Sequence, residues 1–200
     1  PTVTNTPTRT STSPATVTPV YTATKTVVPT RTPTVTRTPG PVSEILVNPV
    51  LKPRAGGSVC STGWYTVAGG GYNNSNLYLT TNVKASRDSY NSAKWTPSIQ
   101  KSGRYKVEAY IGHHGSIAFS CPNVTVSLNT ASASYTIQYS GGKTTVAVDQ
   151  STLDNAWANL GEFTFTAGMT GYISLTDITG ETDSTRLIAF NVIRLTWVGP

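Results

Sequence analysis

Histidine, methionine, cysteine and acid are all scarce in this chain of 200 residues, which has two, one, two and nine of them respectively. Each shortage excludes something. His113 and His114 are adjacent and no second Cys/His cluster accompanies them, so a zinc-type site has no ligand set. The acids are scattered, and neither a Gly-x-Ser-x-Gly elbow nor a metal-binding helix motif occurs, so the chain reads as a non-enzyme. No apolar run approaches the roughly 18 residues of a membrane span. A dense basic stripe or recognition motif for nucleic acid is also missing, although the net charge is +6. Helical periodicity is absent throughout. The chain opens at Pro1 with no initiator methionine or signal peptide, which reads as a mature or trimmed protein.

Threonine is what the chain has in excess, and it is ordered. From Pro1 to Pro41 every threonine falls on an even number, from Thr2 to Thr38, and only Pro14, Val20, Val28 and Gly40 interrupt the comb. A two-residue period sends alternate side chains to opposite faces of an extended chain. One face is therefore nearly all threonine. The other carries Val3, Val17, Tyr21, Val27 and Val35 among prolines and the cations Arg9, Lys25, Arg31 and Arg37. Polyproline II, with its period of three, would not keep threonine in register. The comb predicts a long extended arm over residues 1–41, docking on neighbouring copies of the chain through its apolar side. Thr8, Thr18, Thr24, Thr30, Thr34 and Thr36 are O-glycosylation candidates on the other side. The alternative is a low-complexity glycosylated stalk. The arm's four cations leave +2 for the remainder, a balance that suits an acidic polysaccharide or an acidic partner surface.

Cys60 and Cys121 form an even pair in a chain rich in Thr, Ser and Gly, which suggests a secreted protein with one disulfide worth roughly 4 kcal/mol. Two unpaired buried thiols are the alternative. Asn73-Asn-Ser and Asn123-Val-Thr fit the N-glycosylation acceptor pattern at Asn73 and Asn123.

Residues 42–57 read as a connector and residues 58–200 as the globular body. Short strands separated by Gly, Asn and Ser fill that body. Tyr105, Val107, Ala109 and Ile111 fall on one face of a strand and Arg104, Lys106 and Glu108 on the other. Leu187–Trp197 reads as one continuous strand. The expected fold is all-β, an antiparallel jelly-roll or β-sandwich with a long extended N-terminal arm.

Within the body, Ser92-Ala-Lys-Trp-Thr-Pro, Ser102-Gly-Arg-Tyr-Lys-Val-Glu-Ala-Tyr and Ser134-Tyr-Thr-Ile-Gln-Tyr follow in order. After them come Val148-Asp-Gln, Trp157-Ala-Asn-Leu-Gly-Glu-Phe-Thr-Phe and Ile188-Ala-Phe-Asn-Val-Ile-Arg-Leu. That succession resembles the golvesin C-terminal-like domain, also described as a xanthan-lyase-type carbohydrate-binding-like domain, over residues 58–197. The resemblance implies a jelly-roll sandwich appended to secreted bacterial proteins, with a non-catalytic role in holding polysaccharide or cell surface. The chain departs from the pattern in an insert from Gly112 to Asn129 and in carrying no enzyme domain.

Sugar binding uses exposed aromatic rings flanked by polar groups. Trp64, Tyr65, Tyr72 and Tyr78 surround the glycine-rich loop Gly69–Asn76, read as flexible, and are the carbohydrate-binding candidates. Trp95 and Trp157 read as core. Asp177, Glu181 and Asp183 share one loop and are the only calcium candidates; no other cofactor is implied. Two functions remain. One is a secreted structural subunit of an extracellular filament, a homopolymer formed when the arm adds to a neighbour's sandwich. The other is a carbohydrate-binding module on a flexible glycosylated stalk.

Overall fold

The computed structural model describes residues 44–53, 64–85, 91–120 and 123–200. The chain divides into two units, Pro1–Thr38 and Pro39–Pro200, and every described residue falls in the second. The expected arm, with its docking and glycan positions, lies outside the described residues, as do Cys60 and Cys121.

Fourteen strands and no α-helix make up the described residues. In chain order they are β1 (Glu44–Val47), β2 (Val50–Lys52), β3 (Tyr65–Val67), β4 (Leu77–Thr81), β5 (Ser92–Trp95), β6 (Gly103–Ile111) and β7 (Ile117–Ser120). Then follow β8 (Asn123–Val126), β9 (Ala133–Tyr139), β10 (Gly142–Val148), β11 (Ala156–Phe165), β12 (Tyr172–Thr176), β13 (Leu187–Phe190) and β14 (Ile193–Gly199). A first sheet runs β1-β14-β6-β11 and a second β10-β9-β12-β5-β2. A three-stranded sheet, β13-β4-β3, and the hairpin β7-β8 complete the body. All of these strand pairs are antiparallel, so the body is the expected all-β sandwich.

The period-two pattern explains the core. Tyr105, Val107, Ala109 and Ile111 of β6 are buried, as are Ile193 and Leu195 of β14. They join Ala93, Trp95, Tyr135, Ile137, Ile173 and Leu175 from the second sheet in one apolar cluster. Trp95 is the expected core tryptophan, stacked at 6.5 Å on Phe190 with its indole N–H donating to the Asn191 carbonyl at 2.7 Å. The hydrophobic effect drives this packing, and the indole bond removes the penalty of a buried donor.

Three features go beyond the alternation that fixes the core. The segment read as a connector supplies β1 and β2, one outer strand to each large sheet. The expected single strand Leu187–Trp197 is broken at Asn191 and Val192, so β13 and β14 belong to different sheets. The break matters because Asn191 is 3% exposed and its side chain is a clamp: Oδ1 accepts from the Tyr72 amide at 3.0 Å, and Nδ2 donates to the Asn76 carbonyl at 2.7 Å. Finally, Gln150 of the Val148-Asp-Gln run is fully buried. It donates to Tyr135 Oη at 3.0 Å and the Ala189 carbonyl at 3.1 Å, and accepts from the Ala189 amide at 2.9 Å. That run therefore ties β9 to β13, and burial pushes the Tyr135 phenol upward, a shift the Gln150 bond only partly offsets.

Candidate carbohydrate-binding site

The site grows from the outward face of the first sheet, where β6 and β11 pair Tyr110 with Trp157. Both are half-buried and lie outside the core cluster, while their neighbours Ala109, Ile111 and Ala158 point inward. Trp157 is thus a surface aromatic and not the core residue its strand context suggested. Alternation decides it: Ala158 and Leu160 take the inward positions, leaving Trp157 and Asn159 outside.

Tyr72 joins them from the glycine-rich loop. Its ring meets Tyr110 at 5.3 Å and Trp157 at 5.0 Å, and Tyr110 meets Trp157 at 5.2 Å, all edge-on. Edge-to-face contact is the favoured geometry for such rings. Hydrogen bonds shape the loop. Gly71 N–H donates to the Ser75 carbonyl at 2.8 Å, and Asn191 holds Tyr72 and Asn76. Close approach demands the glycines: a Cβ on Gly71 would lie 2.2 Å from Asn191 Nδ2, and one on Gly112 would lie 2.0 Å from the Gly70 carbonyl. These contacts seat the Tyr72 turn against the end of β6.

Charge frames the three rings. The Arg194 guanidinium lies 4.0 Å from the Trp157 ring centre and is held by Glu108 through Nε at 3.0 Å and Nη2 at 2.8 Å. Lys106 reaches the same carboxylate at 2.8 Å. Burial alone would raise the Glu108 carboxyl, but hydrogen bonds and charge from Lys106 and Arg194 outweigh it and hold the group below its ordinary value of 4.5. At the other margin Asn155 Oδ1 accepts from Tyr110 Oη at 3.3 Å and from the His113 amide at 3.1 Å. Asp154 contacts His113 Nδ1 at 2.9 Å, with both side chains well exposed. Ser151 lines the adjoining cleft but donates to Asp149 rather than to His113, so these residues are not arranged as a nucleophile and its base.

Of the sequence candidates, only Tyr72 reaches this patch. Trp64 packs on the core against Phe190 at 4.8 Å, and Tyr78 packs on the core too. Tyr65 is exposed and pairs with Phe119 at 6.2 Å. Asn73 and Asn123 are both exposed, Asn73 on the turn that carries Tyr72. The calcium candidates do not converge, and among the described residues no group of three or more His, Cys, Asp or Glu is placed to hold a metal. Asn82 shapes that loop, donating to the carbonyls of Glu181 and Thr182 and accepting from the Thr185 and Arg186 amides. Asp177 is fully buried and accepts from the Asn91 amide at 2.9 Å. Glu181 turns instead to Thr130, Ala131 and Arg186, and Asp183 to the Lys84 amide.

Tyr110, Trp157 and Arg194 were missed, yet their signal was present. Each sits at an outward position between inward apolar neighbours, so an aromatic or cation there needs a reason other than the core.

The profile of the golvesin C-terminal domain matches residues 50–197. The chain belongs to that family. A solved Paenibacillus xanthan lyase is similar to the golvesin domain here at 19% identity and a TM-score of 0.56, covering 78% of this chain. The match spans 13% of the lyase chain, and at that identity it shows a shared fold only. No curated protein sequence matches. Among the described residues no helix is long and apolar enough to cross a membrane.

Proposed function

We propose that this golvesin domain is a non-catalytic, extracellular module that holds polysaccharide on the patch formed by Tyr72, Tyr110 and Trp157. The observation carrying this reading is three mutually packed, half-buried aromatic rings standing apart from the core, bordered by Arg194 and Asn155. Apolar ring surface suits the CH faces of pyranoses, and the bordering groups orient hydroxyls. The xanthan lyase likeness is consistent with a domain found alongside polysaccharide chemistry. Isothermal titration with neutral oligosaccharides tests it: Trp157→Ala and Tyr72→Ala each weaken binding by about 30-fold while Tyr65→Ala retains it. Equal binding by all three variants would sink the reading.

A second reading concerns assembly, and the even-numbered threonine comb favours it. Here the chain is a secreted, glycosylated filament subunit whose arm adds to a neighbour's sheet through Val3, Val17, Tyr21, Val27 and Val35. The body offers strand edges at β1 and β2, with Leu46 47% and Val50 73% exposed. An arm on one end and an acceptor on the body make a contact that propagates. Deleting residues 1–39 abolishes polymers in negative-stain images and leaves the body folded. Unchanged fibres from the truncated chain refute the assembly reading and leave the sugar patch untouched. The two readings are compatible, with glycans on the comb and polysaccharide on the patch.

A further inference from the structure

The second sheet presents a different outward face. Its registers put Lys143 beside Gln138 and Tyr172, then Lys94 beside Ser174 and Val50, then Lys52 beside Ser92 and Thr176. Lys52, Lys94 and Lys143 are all exposed. No outward position of these strands carries an acid, and none of the three lysines makes an ion pair among the described residues. The Lys94 ammonium lies 4.3 Å from the Tyr172 ring centre, which fixes one cation over the sheet instead of leaving it loose in solvent. Val50, Lys52, Lys94 and Tyr172 border a shallow trough of about 420 Å³, with Ala93 and the hydroxyls of Ser92, Ser174 and Thr176 completing its walls.

We propose that this face binds an acidic, uronate-bearing polysaccharide, independently of the aromatic patch. Three cations on one face, with no ion pair among the described residues, call for an anion. The hydroxyls of Ser92, Ser174 and Thr176 both donate and accept, and so match the hydroxyls of a sugar between its carboxylates. Adjacent strands lie about 4.8 Å apart, so a flat chain crossing them meets a polar side chain at every step. A protein partner would want a deep aromatic or aliphatic anchor pocket, and this open trough has none. The two faces together would let one domain grip a neutral and a charged polysaccharide at once.

The full-length chain is titrated with oligogalacturonate and with a neutral cello-oligosaccharide, in low salt and again at roughly 1 M salt, where screening acts within about 3 Å. Oligogalacturonate binds in low salt and is released in high salt. The triple variant Lys52→Ala, Lys94→Ala, Lys143→Ala weakens it by about tenfold or more, and the corresponding triple Lys→Arg variant restores it. Trp157→Ala leaves it unchanged. Full binding by the alanine triple variant overturns the proposal. So does equal, lysine-dependent binding of polyglutamate, because the face would then read charge without sugar. Either failure is separate from the patch, which is tested by the neutral sugar and Trp157.

Discussion

The two outward faces of this sandwich are built from the same strand geometry and use charge in opposite ways. On the first sheet the cations are spent: Arg194 and Lys106 converge on Glu108, and Arg104 meets Glu162 at 3.2 Å. That face is close to neutral, and the ion-paired Arg194 lies against the Trp157 ring. On the second sheet the lysines have no carboxylate among the described residues to neutralise them, and Ser and Thr hydroxyls lie between them beside Val50 and Tyr172. Paired charge orients its neighbours, while unpaired charge attracts from a distance. The difference separates a surface suited to stacking from one suited to polyanions.

Asn191→Ala breaks the contrast most strongly. It removes the clamp on Tyr72 and Asn76 and strands buried polar groups, costing about 3 kcal/mol in denaturant unfolding. It also scatters the three rings, so neutral sugar binding is lost while oligogalacturonate binding persists. Simultaneous loss of both would show that the faces are not independent.

Trp157→Ala comes next, with about 30-fold weaker neutral sugar binding, or about 2 kcal/mol, and an unfolding midpoint close to wild type. Isothermal titration reads the first and thermal unfolding the second.

Glu108→Gln leaves Arg194 and Lys106 facing a neutral partner, and costs about 1–2 kcal/mol at neutral pH. The folded carboxyl titrates below its ordinary value of 4.5. Its stabilisation is therefore present above that value and is lost as pH falls through the lower folded value. Urea unfolding of wild type and variant should differ by a constant amount above about pH 5.5 and converge at lower pH. A gap that stays constant into acid would remove the ion cluster from the account.

The smallest effect is expected of Arg104→Ala. Both side chains of that pair are about half exposed, 54% and 48%, so the change in unfolding free energy should stay within about 0.5 kcal/mol.

Much of the body was legible from alternation alone. The inward set Tyr105, Val107, Ala109 and Ile111 follows from a period of two, and burial along β6 agrees. The same rule extended two residues puts Tyr110 on the polar face, and applied to β11 it puts Trp157 there. Trp157 reads as core from sequence because tryptophan in a strand is usually well buried. What alternation cannot supply is which strands lie side by side. Tyr110 and Trp157 are 47 residues apart in the chain, and only the pairing of β6 with β11 makes them neighbours. The clustering of Asp177, Glu181 and Asp183 in sequence misled for the complementary reason: local spacing says nothing of direction, and Asn82 turns that loop so each carboxylate meets a different partner.

The amino acids by themselves determined a strand-built body, its inward and outward sides, a threonine comb set apart from it, and the golvesin likeness, since all of these are written in nearest-neighbour order and period. The break of the last strand at Asn191, the gathering of three rings and the grouping of three lysines on the opposite face were decided only by folding. Each depends on backbone hydrogen bonds between segments distant along the chain, and one residue of register in any of them would send the same side chains to the other side of the sheet.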